Sequence, residues 1–130
     1  MKFDHPQKAQ ISQLRSLWKE AFGDTEEFLD IFFSTAFSPN RCRCAAEDGQ
    51  VLAALYWFDV SCAGQKLAYI YAVATGKASR GRGLCRALMA DTAEILRSAG
   101  YQGALLVPQS EGLFAMYGKM GYLPAAGIRE

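Results

Sequence analysis

Tyr71-Ala72-Val73-Ala74-Thr75, then after four residues Arg80-Gly81-Arg82-Gly83-Leu84-Cys85, is the stretch that decides the fold. Its first part ends an apolar, aromatic run over Lys66 to Thr75 that reads as a strand. From Gly83 the period becomes helical, with Leu84, Ala87, Leu88, Asp91, Ile95 and Leu96 close to one stripe. Gly100 is placed to stop that helix. A strand therefore passes through an arginine-glycine turn directly into a helix. The first N–H groups of a helix have no partner within it, and the helix dipole adds partial positive charge there. Glycines let the backbone form a nest and approach an anion, and Arg80 and Arg82 bring full charges. Together these suit a diphosphate.

Two familiar phosphate loops do not fit. Gly76-Lys77-Ala78-Ser79 lacks the preceding glycine of a Walker loop. A dinucleotide fingerprint needs a third glycine where Arg86 stands, and a βαβ beginning that this chain lacks. By themselves the two glycines would serve equally well as a tight turn with exposed arginines.

Working outward, Ile11, Leu14, Leu17, Trp18, Ala21 and Phe22 recur at helical spacing between Pro6 and Gly23. Asp24 with Glu27 suggests a capping arrangement for a second helix carrying Phe28, Ile31, Phe32, Thr35 and Ala36, closed by Pro39-Asn40. The period then falls to two. Arg41 to Ala46 alternates loosely, Asp48-Gly49 is a hairpin signal, and Val51 to Val60 reads as a central strand. Cys62 to Gln65 turns the chain into Lys66–Thr75. After the long helix come a short strand over Ala104 to Val107, a helix over Gly112 to Met120 and at most one weak strand. The expected class is α/β (mixed α+β): a mixed, mostly antiparallel central sheet with helices on both faces. Trp18, Phe28, Phe32, Trp57 and Phe58 are expected in the core.

The 130 residues suit one domain over 1–130, and 51% hydrophobic with 21% charged residues suits a packed globule. A net charge of +1 gives no field to hold nucleic acid or an anionic membrane. The N-terminus lacks the apolar core of a secretory signal, and the run Val51 to Phe58 is too short to span a bilayer. A cytoplasmic location is expected. Cys42, Cys44, Cys62 and Cys85, with a single histidine, repeat no zinc-ligand spacing. Reduced thiols and no metal are expected, with Cys42 and Cys44 pointing the same way in a strand.

The stretch from Tyr71 to Met89 resembles the central motif of the GNAT acetyltransferase superfamily, Gln/Arg-x-x-Gly-x-Gly/Ala between a strand and a helix. Downstream, Met116-Tyr117-Gly118-Lys119-Met120-Gly121-Tyr122 is similar to the superfamily's Tyr-x-Lys-x-Gly-Phe/Tyr signature. The order of elements also matches along nearly the whole chain. The resemblance implies an acetyl-CoA-dependent N-acetyltransferase. The diphosphate would rest on the backbone of Arg80, Gly81, Arg82, Gly83, Leu84 and Cys85, and the pantetheine arm would pair along Val73, Ala74 and Thr75. Ser110, seven residues before Tyr117, stands where relatives often have asparagine and would hydrogen-bond the cofactor. Tyr117 would be the general acid, because a phenol with a pKa of about 10 stays protonated at neutral pH.

The chain departs from the pattern at three places. Cys85 is larger than the usual glycine or alanine, Lys77 replaces the proline before the loop, and the sequence stops soon after Pro124. The last departure leaves a strand to be supplied by a second copy in a homodimer, or marks a shortened domain. The acceptor, an amine on a small molecule or protein, is not readable, and no general base is named. Tyr69 and Tyr71 would line the acceptor side or hold a relaying water, and Glu20, Asp59 and Glu111 read as solvated surface charges. Two other functions stay open: a CoA-binding module without transfer activity, and a non-enzymatic interaction protein on the same scaffold.

Overall fold

The computed structural model describes residues 1–106 and 123–124. Six strands are hydrogen-bonded in sequence order: β1 Lys2–Asp4, β2 Cys42–Glu47, β3 Gln50–Cys62, β4 Gln65–Thr75, β5 Gly103–Leu106 and β6 Leu123–Pro124. The helices are α1 Ile11–Phe22, α2 Glu26–Ile31 and α3 Leu84–Ser98. β1, β2 and β3 pair antiparallel, whereas β4, β5 and β6 pair parallel. The order follows from connection length. Asp48-Gly49 and Ala63-Gly64 all have positive φ, so two-residue turns fold β2 onto β3 and β3 back into β4. A crossover through α3 instead sets β5 parallel to β4, from Leu67↔Gly103 to Ile70↔Leu106. The result is the expected mixed, mostly antiparallel sheet flanked by helices.

The chain forms two compact units, Met1–Tyr56 with Ala72–Leu88, and Trp57–Tyr71 with Met89–Glu130. In the first, Leu14, Leu17 and Trp18 of α1, Leu29 of α2 and Phe32 are buried with Cys42, Cys44 and Leu55. Consecutive residues Ala53 to Tyr56 are all buried, so both faces of this part of β3 are covered. Trp18 centres an aromatic cluster, with Phe32 at 4.6 Å and Tyr56 at 5.2 Å between ring centroids. In the second unit Trp57 Nε1 donates to the Tyr101 hydroxyl at 3.2 Å, and that hydroxyl donates to Asp59. The Lys66 ammonium lies 4.2 Å from the centre of the Tyr101 ring.

Several local expectations change. β1 is an additional strand, held to β2 by pairing and by Arg43 Nη2 donating to the Phe3 carbonyl at 3.1 Å. Three residues hold too little periodicity to announce a strand. Thr25, not Asp24, caps α2, its hydroxyl accepting from Phe28 N at 3.1 Å. Asp24 instead accepts from Trp18 Nε1 at 2.7 Å. The second helical run leaves α geometry at Phe32 and finishes as a π turn over Phe32–Ala36. Phe28 and Phe58 are each 43% exposed rather than core residues. Phe58 lies stacked on Tyr71 at 4.4 Å, on the opposite side of β3 from Trp57. Cys42 and Cys44 are both buried and unlinked, and burial, then Cys44, pushes the Cys42 thiol up. The helix expected over 112–120 lies outside the described residues.

Two consequences are measurable. The Thr92 hydroxyl is fully buried with no hydrogen-bond partner among the described residues, which costs stability. Thr92→Val keeps the shape and removes the orphaned group, and should raise the urea-unfolding free energy by about 1 kcal/mol. Between α1 and α2, Lys19 and Arg15 both meet Glu26, and Arg15 also meets Asp30. The hydrogen bond from Lys19, then that from Arg15, holds the Glu26 carboxyl below its ordinary 4.5. A depressed carboxyl stabilises the fold above its unfolded pKa and loses that contribution as pH falls through the folded value. Glu26→Gln should therefore be less stable than the parent at pH 7, with the difference shrinking in urea titrations as pH falls below 4.5.

Candidate functional site

The candidate site is built from the end of β4, the loop after it and the start of α3, all within the first unit. β4 supplies Val73 and Thr75, both half-buried, and Ala74, 8% exposed. Immediately before them Ala72 has φ of 52°, a left-handed conformation inside a strand. An L-residue there is strained by about 1–2 kcal/mol, and such irregularities re-aim the strand's backbone groups. The strain lies next to Val73, Ala74 and Thr75, where the resemblance implies the cofactor's arm.

The chain leaves β4 under several restraints. Gly76 N donates to the Leu52 carbonyl at 2.8 Å, and Lys77 N donates to Glu20 Oε1 at 2.7 Å. A 3₁₀ turn over Lys77–Ser79 comes next, closed by Ser79 N to the Gly76 carbonyl at 2.9 Å. Arg80 Nε then donates back to the Thr75 carbonyl at 3.2 Å. Gly81 and Gly83 have φ of 83° and 73°, and α3 begins at Leu84 with Ala87 N bonded to the Gly83 carbonyl at 3.0 Å. Each glycine is needed for its left-handed backbone; among the described residues a Cβ on either would meet nothing within 4 Å. The first turn of α3 contains no acidic residue, and Arg80, Arg82 and Arg86 are exposed around it.

These features fit an anionic diphosphate: a glycine nest at the N-terminus of a 15-residue helix, flanked by guanidinium groups. A neighbouring carboxylate, Glu47, opposes it. Arg82 Nη2 lies 3.8 Å from Glu47 Oε2, and both side chains are 48% exposed. An ion pair this exposed and this long is worth little, so Arg82 can exchange Glu47 for a phosphate at low cost.

The structure thus brings Val73, Ala74 and Thr75 into one strand end, and Arg80, Gly81, Arg82, Gly83, Leu84 and Cys85 into one turn and helix start. Leu84 is buried at 7% and anchors the helix, so its contribution to a ligand is its backbone. Cys85 is half-buried. Ser110 and Tyr117, and with them Glu111, lie outside the described residues. The restraints from Leu52, Glu20 and Glu47 are not evident in the sequence. Lys77 in place of proline signals an additional N–H to satisfy, but its acceptor lies 57 residues away along the chain.

Beside the loop, a cleft of about 490 Å³ separates α1, at Ser12, Ser16 and Glu20, from the start of β3 and Gly76 to Ser79. Much of its polar lining is engaged with backbone. Gln13 Oε1 accepts from Val51 N at 2.7 Å, and Gln13 Nε2 donates to the Gly49 carbonyl at 3.2 Å.

Residues 2–125 match the family model described as an acetyltransferase (GNAT) domain. The chain belongs to the GNAT acetyltransferase family. No curated protein matches the sequence. Among solved structures the GNAT chain shares its fold with a putative acetyltransferase from Agrobacterium tumefaciens str. C58, at TM-score 0.76 and 21% identity, covering 95% of this chain and 93% of that one. A GCN5-related N-acetyltransferase from Kribbella flavida superposes at TM-score 0.77 and 19% identity, covering 88% of this chain and 31% of that one. A GNAT family acetyltransferase from Brucella melitensis in complex with acetyl-CoA gives TM-score 0.71 and 21% identity, covering 90% and 80%. At these identities the likeness establishes the fold. Membership in the family supports an acyltransferase that uses acetyl-CoA. Among the described residues no helix is long and apolar enough to cross a membrane.

The φ of Gly83 makes a direct test. Gly83→Ala forces an L-residue into the left-handed region, costing about 1–2 kcal/mol of stability. The expected result is that loss in urea titration and acetyl-CoA binding weakened at least about tenfold by calorimetry.

Proposed function

We propose that this protein is a cytoplasmic N-acetyltransferase, one domain over residues 1–130, that moves the acetyl group of acetyl-CoA directly to a primary amine. The observation that carries the reading is the left-handed Gly81 and Gly83 turn, which carries Arg80 and Arg82 and opens the helix at Leu84 in a GNAT chain. Acetyl-CoA, when bound, supplies an acetyl thioester, whose carbonyl carbon accepts an amine lone pair as the carbon–sulfur bond breaks.

The remaining work falls to the chain. Backbone N–H groups from Arg80 to Cys85 hold the diphosphate, the guanidinium groups of Arg80 and Arg82 neutralise it, and Ser110 adds a hydrogen bond. Val73, Ala74 and Thr75 align the pantetheine arm as an added strand. A backbone N–H near Val73, beside the strained Ala72, polarises the carbonyl oxygen as charge gathers on it. Tyr117 donates its phenolic proton to the departing sulfur. The positively charged amine product must lose a proton in turn, and no side chain is assigned to that step. The acceptor is an amine on a small molecule or a protein.

The test uses acetyl-CoA with a panel of primary amines, thiol release giving the rate and calorimetry the affinity. Tyr117→Phe should lower kcat about 10²-fold while acetyl-CoA affinity stays within about twofold. Unchanged kcat removes Tyr117 as the acid. Firm CoA binding with no thiol release from any amine would make the chain a CoA-binding module instead. No binding at high micromolar acetyl-CoA would leave an interaction protein on this scaffold.

A further inference from the structure

The bond between Glu20 and the Lys77 amide joins the last turns of α1 to the peptide that leads into the glycine turn. A proline at position 77, as the resemblance to the superfamily sets there, would carry no N–H and need no acceptor. Lysine brings that N–H to the first position of a 3₁₀ turn, where nothing within the turn can accept it. Glu20 Oε1 accepts it at 2.7 Å. The preceding amide, Gly76 N, is held separately by the Leu52 carbonyl at 2.8 Å. Two successive amides are thus tied to two different elements, α1 and β3. Within the next six residues come Arg80, Gly81, Arg82 and Gly83, whose backbone must be held in place before a diphosphate arrives. A loop that must be ordered on binding subtracts that ordering from its affinity.

We propose that Glu20 is a positioning residue for the acetyl-CoA site, acting through the Lys77 amide to pre-order the loop from Gly76 to Gly83. This rests on the acetyl-CoA reading above, and it gives Glu20 a role other than that of a solvated surface charge. The role needs an acceptor oxygen rather than a negative charge. A carboxylate so near an anion site repels the ligand slightly, and the hydrogen bond outweighs that repulsion.

A mutant cycle with two readouts tests it. Calorimetry with acetyl-CoA compares wild type, Glu20→Ala, Glu20→Gln, Lys77→Pro and the Glu20→Ala/Lys77→Pro pair. Gly76, at φ −59° and ψ 146°, already has the extended conformation that tolerates a following proline. Glu20→Ala should weaken acetyl-CoA about fivefold, whereas Glu20→Gln, which keeps the acceptor, should stay within about twofold or bind tighter. In the Lys77→Pro background, Glu20→Ala should change affinity by less than about twofold, because the N–H it served is gone. Equal losses from Glu20→Ala in both backgrounds, or a Glu20→Gln loss as large as that of Glu20→Ala, would overturn the proposal. The second readout needs no ligand. Exchange of the Lys77 amide, followed by NMR in the free protein, should accelerate at least about fivefold in Glu20→Ala and not in Glu20→Gln. Unchanged exchange means that no such clasp exists, whatever the affinities. If wild type binds no acetyl-CoA, the parent reading fails and the positioning role with it, while amide exchange still reports the clasp.

Discussion

The peptide between Thr75 and Leu84 must turn a strand into a helix while keeping its N–H groups available to an anion. That constraint organises the first unit. An N–H engaged within the chain is lost to a ligand, and the ones spent on holding this loop, at Gly76, Lys77, Ser79 and Arg80, all precede the glycine turn. Gly81 and Gly83 then take left-handed φ values that other residues adopt only under strain. Among the described residues nothing crowds a Cβ at either glycine, which separates a conformational need from a packing need. Here the need is conformational, which is what a backbone cradle requires.

The surrounding unit supplies stiffness. α1 buries Leu14, Leu17 and Trp18 and carries Glu20 one turn beyond Leu17, so one helix both joins the core and reaches the loop. Burial of Ala53 to Tyr56 on successive sides of β3 fixes the strand whose Leu52 carbonyl receives Gly76. Ala72 has the opposite character: a strained residue retained at the junction of β4 with its last three positions. Strain of this kind persists only when neighbouring structure over-determines it, and it gathers where a backbone has to present itself to a ligand.

Membership in the GNAT family explains why elements of such different legibility go together. The arginine-glycine turn and the Tyr117 motif are local and chemical, so they can be read from residue types and spacing. The sheet order was legible for a related reason. Two-residue positive-φ turns leave adjacent strands no choice but to pair, and the long helix between β4 and β5 requires a parallel return. β1 was not legible because three residues show less than two full alternations. The exposure of Phe58 was not either, since alternation says which residues share a side and not which side is covered.

The sequence by itself determined where the chain changes period, where it must turn, and that a cationic glycine turn opens a helix. These are properties of a few adjacent residues and their allowed dihedrals. Tertiary structure decided who holds that turn. Glu20 and Lys77 are 57 positions apart, and Arg82 and Glu47 meet only because the hairpin between β2 and β3 comes alongside the loop. It also decided that Asp24 serves Trp18 while Thr25 caps α2, two neighbouring oxygens that local pattern cannot tell apart. A polar side chain takes the donor that folding brings within reach, and that choice is made by chain segments distant in sequence.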